Sequence, residues 1–368
     1  MQFGFELQHT YKKARAGIIH TAHGDIHTPI FMPVGTQGTI KGLTNEHILQ
    51  TNAEIILGNT YHLFLRPGLE VFKQLGGLHK FMNWNKPILT DSGGYQIASL
   101  TQLRKVKEEG ATFQSHIDGS KHFLSPEIST EMQTALDSDI SMVLDDCTPY
   151  DNPKKREQAM YRSLRWAERS RKAFIKREGY GQFAIVQGGP HKELRQECAE
   201  ELVKMDFEGY AVGGVTGYHD TLFFTLDFTI PFLPENKPRY VMGIGKPIDI
   251  VGAIARGSDM SDCVLPARYA RHGVCFTREG ELKLREAKYE IDTQSLDKHC
   301  TCYTCQNHTR AYIHHLWKAG EMLACTLMTL HNITYYLDLV KHCRKEILND
   351  SFEFDKVCSE FGILQQAN

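Results

Sequence analysis

Eight short apolar runs constrain the fold before anything else does. They fall at residues 30–34, 55–58, 87–90, 140–144, 183–186, 210–212, 240–242 and 263–265. Stretches with helical spacing separate them, at 45–51, 126–136, 155–177, 191–204, 221–233 and 247–256. Strands alternating with helices build a parallel sheet, and eight such units are the number that closes an α/β barrel of the TIM, or (β/α)8, type. Residues 110–124 alternate about an Asp118-Gly119 turn and read as a hairpin inserted into that barrel.

The pattern changes at about Ala287. The barrel is expected over 1–286, with 287–368 forming a zinc-binding, helical C-terminal subdomain packed on it. The zinc signal is Cys300-x-Cys302-x-x-Cys305, followed after twenty-five intervening residues by His331. Three thiols and a returning imidazole make a four-ligand set suited to tetrahedral zinc. A helix over 309–330 leaves the cluster and the chain comes back with His331; a second late helix is expected over 333–347. Four protein ligands leave no open position, so one Zn2+ per chain is expected in a structural role, with the chemistry elsewhere.

Ten cysteines at irregular spacing, three of them in this cluster, fit a reducing cytoplasm better than a disulfide scaffold. There is no long uncharged apolar run and no signal-peptide layout, so no membrane span is expected. A net charge of −2 excludes a globally basic nucleic-acid binder but allows a local basic face. Lys283, Arg285, Lys288, Lys298, Arg310, Lys318, Lys341, Arg344 and Lys345 are candidates for it.

Polar residues stand where the apolar runs end. The third run leads into Asp91-Ser92-Gly93-Gly94-Tyr95-Gln96, the fourth into Asp145-Asp146-Cys147 and the fifth into Gln187-Gly188-Gly189. The sixth leads into Gly213-Gly214 and the seventh into Gly243-Ile244-Gly245-Lys246, while Met260-Ser261-Asp262 precedes the eighth. One Asp after a strand is most often a helix cap, and one Gly pair a turn. Repeated around a parallel barrel, whose strand ends converge, they point to a site. No His-x-His marks an early strand, as a metal-dependent barrel hydrolase would show, and no Gly-Lys-Ser/Thr phosphate loop is present. Carboxylates suit a carbon that becomes positive, such as that of a breaking glycosidic bond: one attacks, a second moves protons. An Asp beside a Gln, with N–H groups at Gly213-Gly214, can pair with the edge of a planar base. The residues alone thus point to glycosyl chemistry on a purine-like ligand, and leave open which Asp attacks.

Together with Asp145-x-Cys147-Thr148-Pro149-Tyr150, Gly209-Tyr210-Ala211-Val212-Gly213-Gly214, Met242-Gly243-Ile244-Gly245-Lys246-Pro247, Asp262-Cys263-Val264-x-Pro266 and the zinc cluster, these motifs resemble the bacterial tRNA-guanine transglycosylase (queuine tRNA-ribosyltransferase) family. The resemblance runs from about Phe3 to Tyr336. It implies a barrel with a zinc subdomain that exchanges guanine at the wobble position of certain tRNAs for a free 7-deazaguanine base. By motif match, Asp262 is the nucleophile holding the ribose and Asp91 the general acid/base. Ser92, Gly93, Gly94, Asp145, Gln187, Gly213 and Gly214 surround the guanine-like base, and Tyr95 and Met242 sandwich it. Residues 243–249, with Gly243, Gly245 and Lys246, and 267–271, with Arg268 and Arg271, contact the anticodon loop. Phe81, Tyr312 and His315 match positions that help form a homodimer, although His308 stands where a Trp is usual.

After the sixth run, bacterial members commonly read Gly-Gly-Leu-Ser-Val-Gly-Glu; here the chain reads Gly213-Gly214-Val215-Thr216-Gly217-Tyr218-His219. Gly217 opens space where Val is usual, and His219 removes the carboxylate expected to pair with an aminomethyl group. The expectation is therefore queuine as the incoming base, with its aminomethyl precursor the alternative. Residues 267–271 read Ala-Arg-Tyr-Ala-Arg in place of Thr-Arg-Asn-Ala-Arg, keeping both arginines. A non-catalytic RNA-binding partner subunit of the same fold should lack the carboxylates that this chain has.

Overall fold

The structure, a computed structural model, describes residues 2–100, 103–147, 152–215 and 219–363. Its centre is a closed barrel of eight parallel strands. These are β1 (Ile30–Gly35), β2 (Ile56–Gly58), β3 (Ile88–Thr90), β4 (Ile140–Met142), β5 (Gly181–Val186), β6 (Gly209–Val212), β7 (Arg239–Val241) and β8 (Met260–Cys263). The ring closes where Met260 pairs with Ile30 and Cys263 with Pro33. The strands read as continuous apolar runs because side chains fill the inside and helices cover the outside; all six residues of β5 are buried.

The bounds of three expected elements are corrected. The eighth strand is Met260–Cys263, not 263–265, because helix Leu265–Arg271 begins there with Pro266 in its first turn, where the missing N–H costs nothing. Asp262 therefore sits on the barrel wall, opposite Met32, and not in a loop. The two late helices are also cut differently. The first is Arg310–Lys318, ended by Gly320 at φ +75°, a left-handed conformation that favours glycine. The second runs unbroken over Met322–Leu348 and carries His331 within it. The inserted hairpin has a third strand, Arg104–Val106, beside Ala111–Gln114 and Lys121–Leu124.

An antiparallel sheet of Gly4–Tyr11, Ala14–Thr21 and Gly24–Thr28 was not anticipated. It is tied to the amino ends of the barrel strands by two carboxylates that immediately precede strands. Asp259, before β8, receives Arg15 through Nε at 3.1 Å and Nη2 at 2.6 Å, with both side chains buried. Asp139, before β4, receives the backbone N–H of His23. Removing one partner of such a buried pair leaves a bare charge, at roughly 3–5 kcal/mol.

The carboxyl-terminal part has a small core of its own, including Cys275, Leu282, Leu284, Ile313, Leu316 and Leu327. Helix Met322–Leu348 joins it to the barrel: the Tyr336 ring lies 4.8 Å from that of Phe31, and its hydroxyl donates to the Gly245 carbonyl at 2.5 Å. Among the described residues no helix is long and apolar enough to cross a membrane.

Candidate active site

The carboxyl ends of the strands bring Asp91, Asp145, Gln187 and Asp262 to one mouth. Asp91 follows β3. Its Oδ2 accepts from Asn59 Nδ2 at 2.5 Å and Gln96 Nε2 at 2.8 Å, and its Oδ1 from the Thr60 N–H at 2.8 Å. Burial pushes its pKa up to about 6, against those three donors and with help from the negative charge of Asp262. A carboxyl near neutrality is poised to give and take protons.

Asp145 and Gln187 meet directly: Gln187 Nε2 donates to Asp145 Oδ2 at 2.6 Å, and Ser92 Oγ donates to Oδ1 at 3.4 Å. Burial raises the pKa of Asp145 to about 6 as well, and the adjacent Asp146 adds to the effect. Asp146 itself is turned to Arg162, whose Nη1 lies 2.5 Å from Oδ2. Two glycines make room for the pair. A Cβ on Gly94 would lie 2.7 Å from the Asp145 carbonyl oxygen. One on Gly214, at φ +61°, would lie 2.6 Å from Gln187 Oε1. Gly213 corrects the expectation of two available N–H groups: its N–H donates to the Val186 carbonyl at 3.1 Å, which leaves Gly214 as the donor.

Asp262 is partly accessible. Tyr240 Oη donates to its Oδ1 at 2.5 Å and the Gly243 N–H to the same oxygen at 2.8 Å. Burial raises its pKa. Burial first, then the charge of Asp262, holds the Tyr240 hydroxyl protonated far above neutral pH. Among the described residues both hydrogen bonds to Asp262 fall on Oδ1. At the rim Tyr95 is 64% exposed and Met242 half-buried. Gly243, Lys246, Arg268 and Arg271 are exposed. Arg268 and Arg271 share a cavity with Lys41, Cys263 and Pro266.

Several contributors escaped the sequence reading. Tyr240 looked like one more apolar residue of the seventh run. Asn59 and Thr60 follow β2 as the other site residues follow their strands, but no carboxylate drew attention there. Arg195 is fully buried on helix Lys192–Lys204; it donates to the carbonyls of Gly189 at 2.6 Å, Gly213 at 2.9 Å and Val186 at 3.2 Å, clamping the ends of β5 and β6 together. Gly217, with Thr148, Pro149 and Tyr150, lies outside the described residues. His219 opens helix His219–Thr229 with its Nδ1 hydrogen-bonded to Asp249. The expected basic face loses two members: Arg310 is buried against Asp292, and Arg344 is spent on the carbonyls of Gly17 and Thr28.

Cys300, Cys302, Cys305 and His331 converge, with ligand atoms within 4.8 Å of one another. His331 Nε2 meets the Phe276 carbonyl at 2.8 Å, which makes it the protonated nitrogen and leaves Nδ1, 3.3 Å from Cys305 Sγ, bare for a metal. The donor set fits a tetrahedral thiolate-imidazole ion outside the barrel mouth. It ties together three segments: the hairpin at Val274–Thr277, the cysteine loop and the long helix.

The raised carboxyls carry a stability consequence. Asp145 has a folded pKa of about 6 against 3.8 for the free group, so folding favours its protonated form. Its cost to the fold is full above pH 6 and fades as pH falls towards 4. Asp145→Asn is therefore expected to stabilise the chain by about 3 kcal/mol at pH 7.5 and by much less near pH 4. Urea unfolding at the two pH values reads this; an equal effect at both would contradict a burial penalty.

A (β/α)8 barrel with three carboxylates, an amide and close-packed glycines at its carboxyl mouth is the arrangement of a barrel enzyme. The family described as Queuine tRNA-ribosyltransferase matches residues 10–361. Relatives with that name from Rickettsia bellii (strain OSU 85-389) and Rickettsia africae (strain ESF-5) are each 53% identical, over 359 and 360 residues, covering 96% of this chain and 99% of theirs. The chain belongs to the queuine tRNA-ribosyltransferase family and is a pentosyltransferase.

Proposed function

We propose that this enzyme exchanges guanine at the wobble position of tRNA for a free 7-deazaguanine base through a covalent Asp262–ribose intermediate. The observation that carries the proposal is the asymmetry of Asp262, held through Oδ1 by Tyr240 and Gly243 with no hydrogen bond to Oδ2 among the described residues. Oδ2 attacks C1′ and the C1′–N9 bond breaks, its electron pair leaving with guanine, which takes a proton from Asp91. The incoming base then returns a proton to Asp91 as it attacks C1′, and the Asp262 carboxylate departs. Asp145, Gln187 and the Gly214 N–H read the edge of either base, beside Ser92, Gly93 and Gly94. Tyr95 and Met242 cover its faces.

The exposed Lys246, Arg268 and Arg271, with Gly243 and Gly245, flank the mouth where an anticodon loop would lie. Zn2+ is the ion assigned to the cysteine cluster, where it fastens the 287–368 unit to the 1–286 barrel. Phe81 and Tyr312, 44% and 40% exposed, and the exposed His315 support a homodimer. The setting is cytoplasmic.

Queuine is the proposed incoming base. In sequence Gly217 carries no side chain where bacterial members commonly have Val, and His219 is engaged by Asp249 and supplies no carboxylate. The test compares kcat/KM for queuine and 7-aminomethyl-7-deazaguanine. Queuine is expected to be preferred, and Gly217→Val to shift the ratio towards the smaller base by about tenfold or more. A strong preference of the unaltered enzyme for the aminomethyl base would contradict the assignment.

A further inference from the structure

Arg195 is fully buried, yet among the described residues no carboxylate meets its guanidinium; its hydrogen bonds run to three backbone carbonyls. Burial lowers its pKa only to about 10, so it stays charged at neutral pH. A buried cation without a counter-ion is costly, which asks what the charge is for. Two of its bonds fall on either side of Gln187 and Gly188: Nη1 donates to the Val186 carbonyl and Nε to that of Gly189. Gly188 is bare because the arginine stem passes against it; a Cβ there would lie 2.9 Å from Arg195 Cγ. These bonds fix the backbone that presents Gln187 to Asp145.

The third bond acts on the other side of the site. Nη2 donates to the Gly213 carbonyl at 2.9 Å. That carbonyl and the Gly214 N–H belong to one planar trans peptide, so they point in opposite directions. Gly213 is buried and Gly214 exposed, so holding the carbonyl inward turns the N–H outward. Among the described residues no acceptor takes that N–H. Two adjacent glycines put little steric resistance in the way of turning over the peptide between them. Turned over, it would present a carbonyl instead of an N–H. A guanidinium on the Gly213 carbonyl opposes that turn and, by polarising the amide, strengthens its N–H as a donor.

We propose that Arg195 is a positioning residue for base recognition: it holds the Gly213–Gly214 peptide with its N–H towards the mouth, and so selects a base with a carbonyl at position 6. Guanine and 7-deazaguanines share that carbonyl, beside the N1–H that a carboxylate takes; an N–H facing it binds it, and a carbonyl facing it repels it. The inference rests on the proposed reading of Gly214 as a contact to the base edge.

The test uses 6-thioguanine, which differs from guanine only in carrying the weaker acceptor sulfur at position 6. The KM for guanine exchange into tRNA and the inhibition constant of 6-thioguanine are measured for the unaltered enzyme, Arg195→Lys and Arg195→Gln. The unaltered enzyme is expected to prefer guanine by about tenfold or more. In both variants the guanine KM should rise about tenfold or more and the preference fall to about threefold or less, with kcat at saturating base changed less than about threefold. The preference is a ratio taken on one preparation, so it is independent of the fraction of a variant that folds. A tie that only joined two strand ends would weaken both bases alike. A preference that persists in both variants therefore overturns the role of Arg195 alone. No preference in the unaltered enzyme overturns the reading of Gly214, and the inference with it.

Discussion

Asp262→Ala is expected to lower base exchange at least about 10^4-fold, with tRNA still bound. On the proposed mechanism Asp262 supplies the attacking oxygen, and among the described residues the two neighbouring mouth carboxyls are engaged elsewhere. Asp91 is locked by Asn59, Thr60 and Gln96, and Asp145 by Gln187 and Ser92. Tyr240→Phe removes one of the two donors on Oδ1 and leaves the nucleophile, so its loss should be smaller, about 10- to 100-fold. Single-turnover incorporation of the incoming base measures both, and tRNA binding in parallel separates chemistry from docking. A variant at 262 that retains more than about a hundredth of the activity would remove the carboxylate from the role given to it.

The second large effect is expected at the cysteine cluster. On the proposed zinc assignment, Cys302→Ala or Cys305→Ser should abolish metal binding at the cluster and cost on the order of 5 kcal/mol, because metal-binding energy there is folding energy. The cluster closes a small core that is otherwise thin, and His331 lies in the helix whose Tyr336 holds the Gly245 carbonyl at the barrel mouth. Loss of metal should therefore lower the melting temperature and weaken tRNA binding, while free-base binding at Asp145 and Gln187 is largely kept. Zinc content, calorimetry and the two binding assays check this. Zinc-free protein with unchanged melting and tRNA binding would contradict a structural role.

Much of the fold was legible because the barrel repeats one local rule eight times, so a displaced boundary at β8 did not obscure the architecture. The metal-type cluster was legible for a similar reason: three cysteines in six residues have few other uses. The candidate site residues legible in sequence were those chemically out of place after an apolar run, namely Asp91, Asp145, Gln187 and Asp262, which the fold brings to one mouth. Tyr240 and Arg195 stayed hidden because their roles arise from direction. One points into the barrel from within a strand, and the other turns a helix charge onto carbonyls that only the fold assembles. The N-terminal sheet was missed because its strands mix charged and apolar residues, and its burial depends on Arg15 and His23 reaching Asp259 and Asp139 across more than a hundred residues of chain. Arg310 and Arg344 show the same limit from the other side, since a basic residue counted towards a surface can be consumed by internal acceptors.

The covalent intermediate is tested most directly by trapping it. The enzyme should be mixed with substrate tRNA and a guanine analogue, denatured, digested and subjected to peptide mass spectrometry. An RNA adduct on the peptide containing Asp262, absent from Asp262→Ala and retained in Asp145→Asn supplied with excess tRNA, is the predicted result. Turnover of tRNA with no adduct in the unaltered enzyme, or an adduct on Asp91, would contradict it.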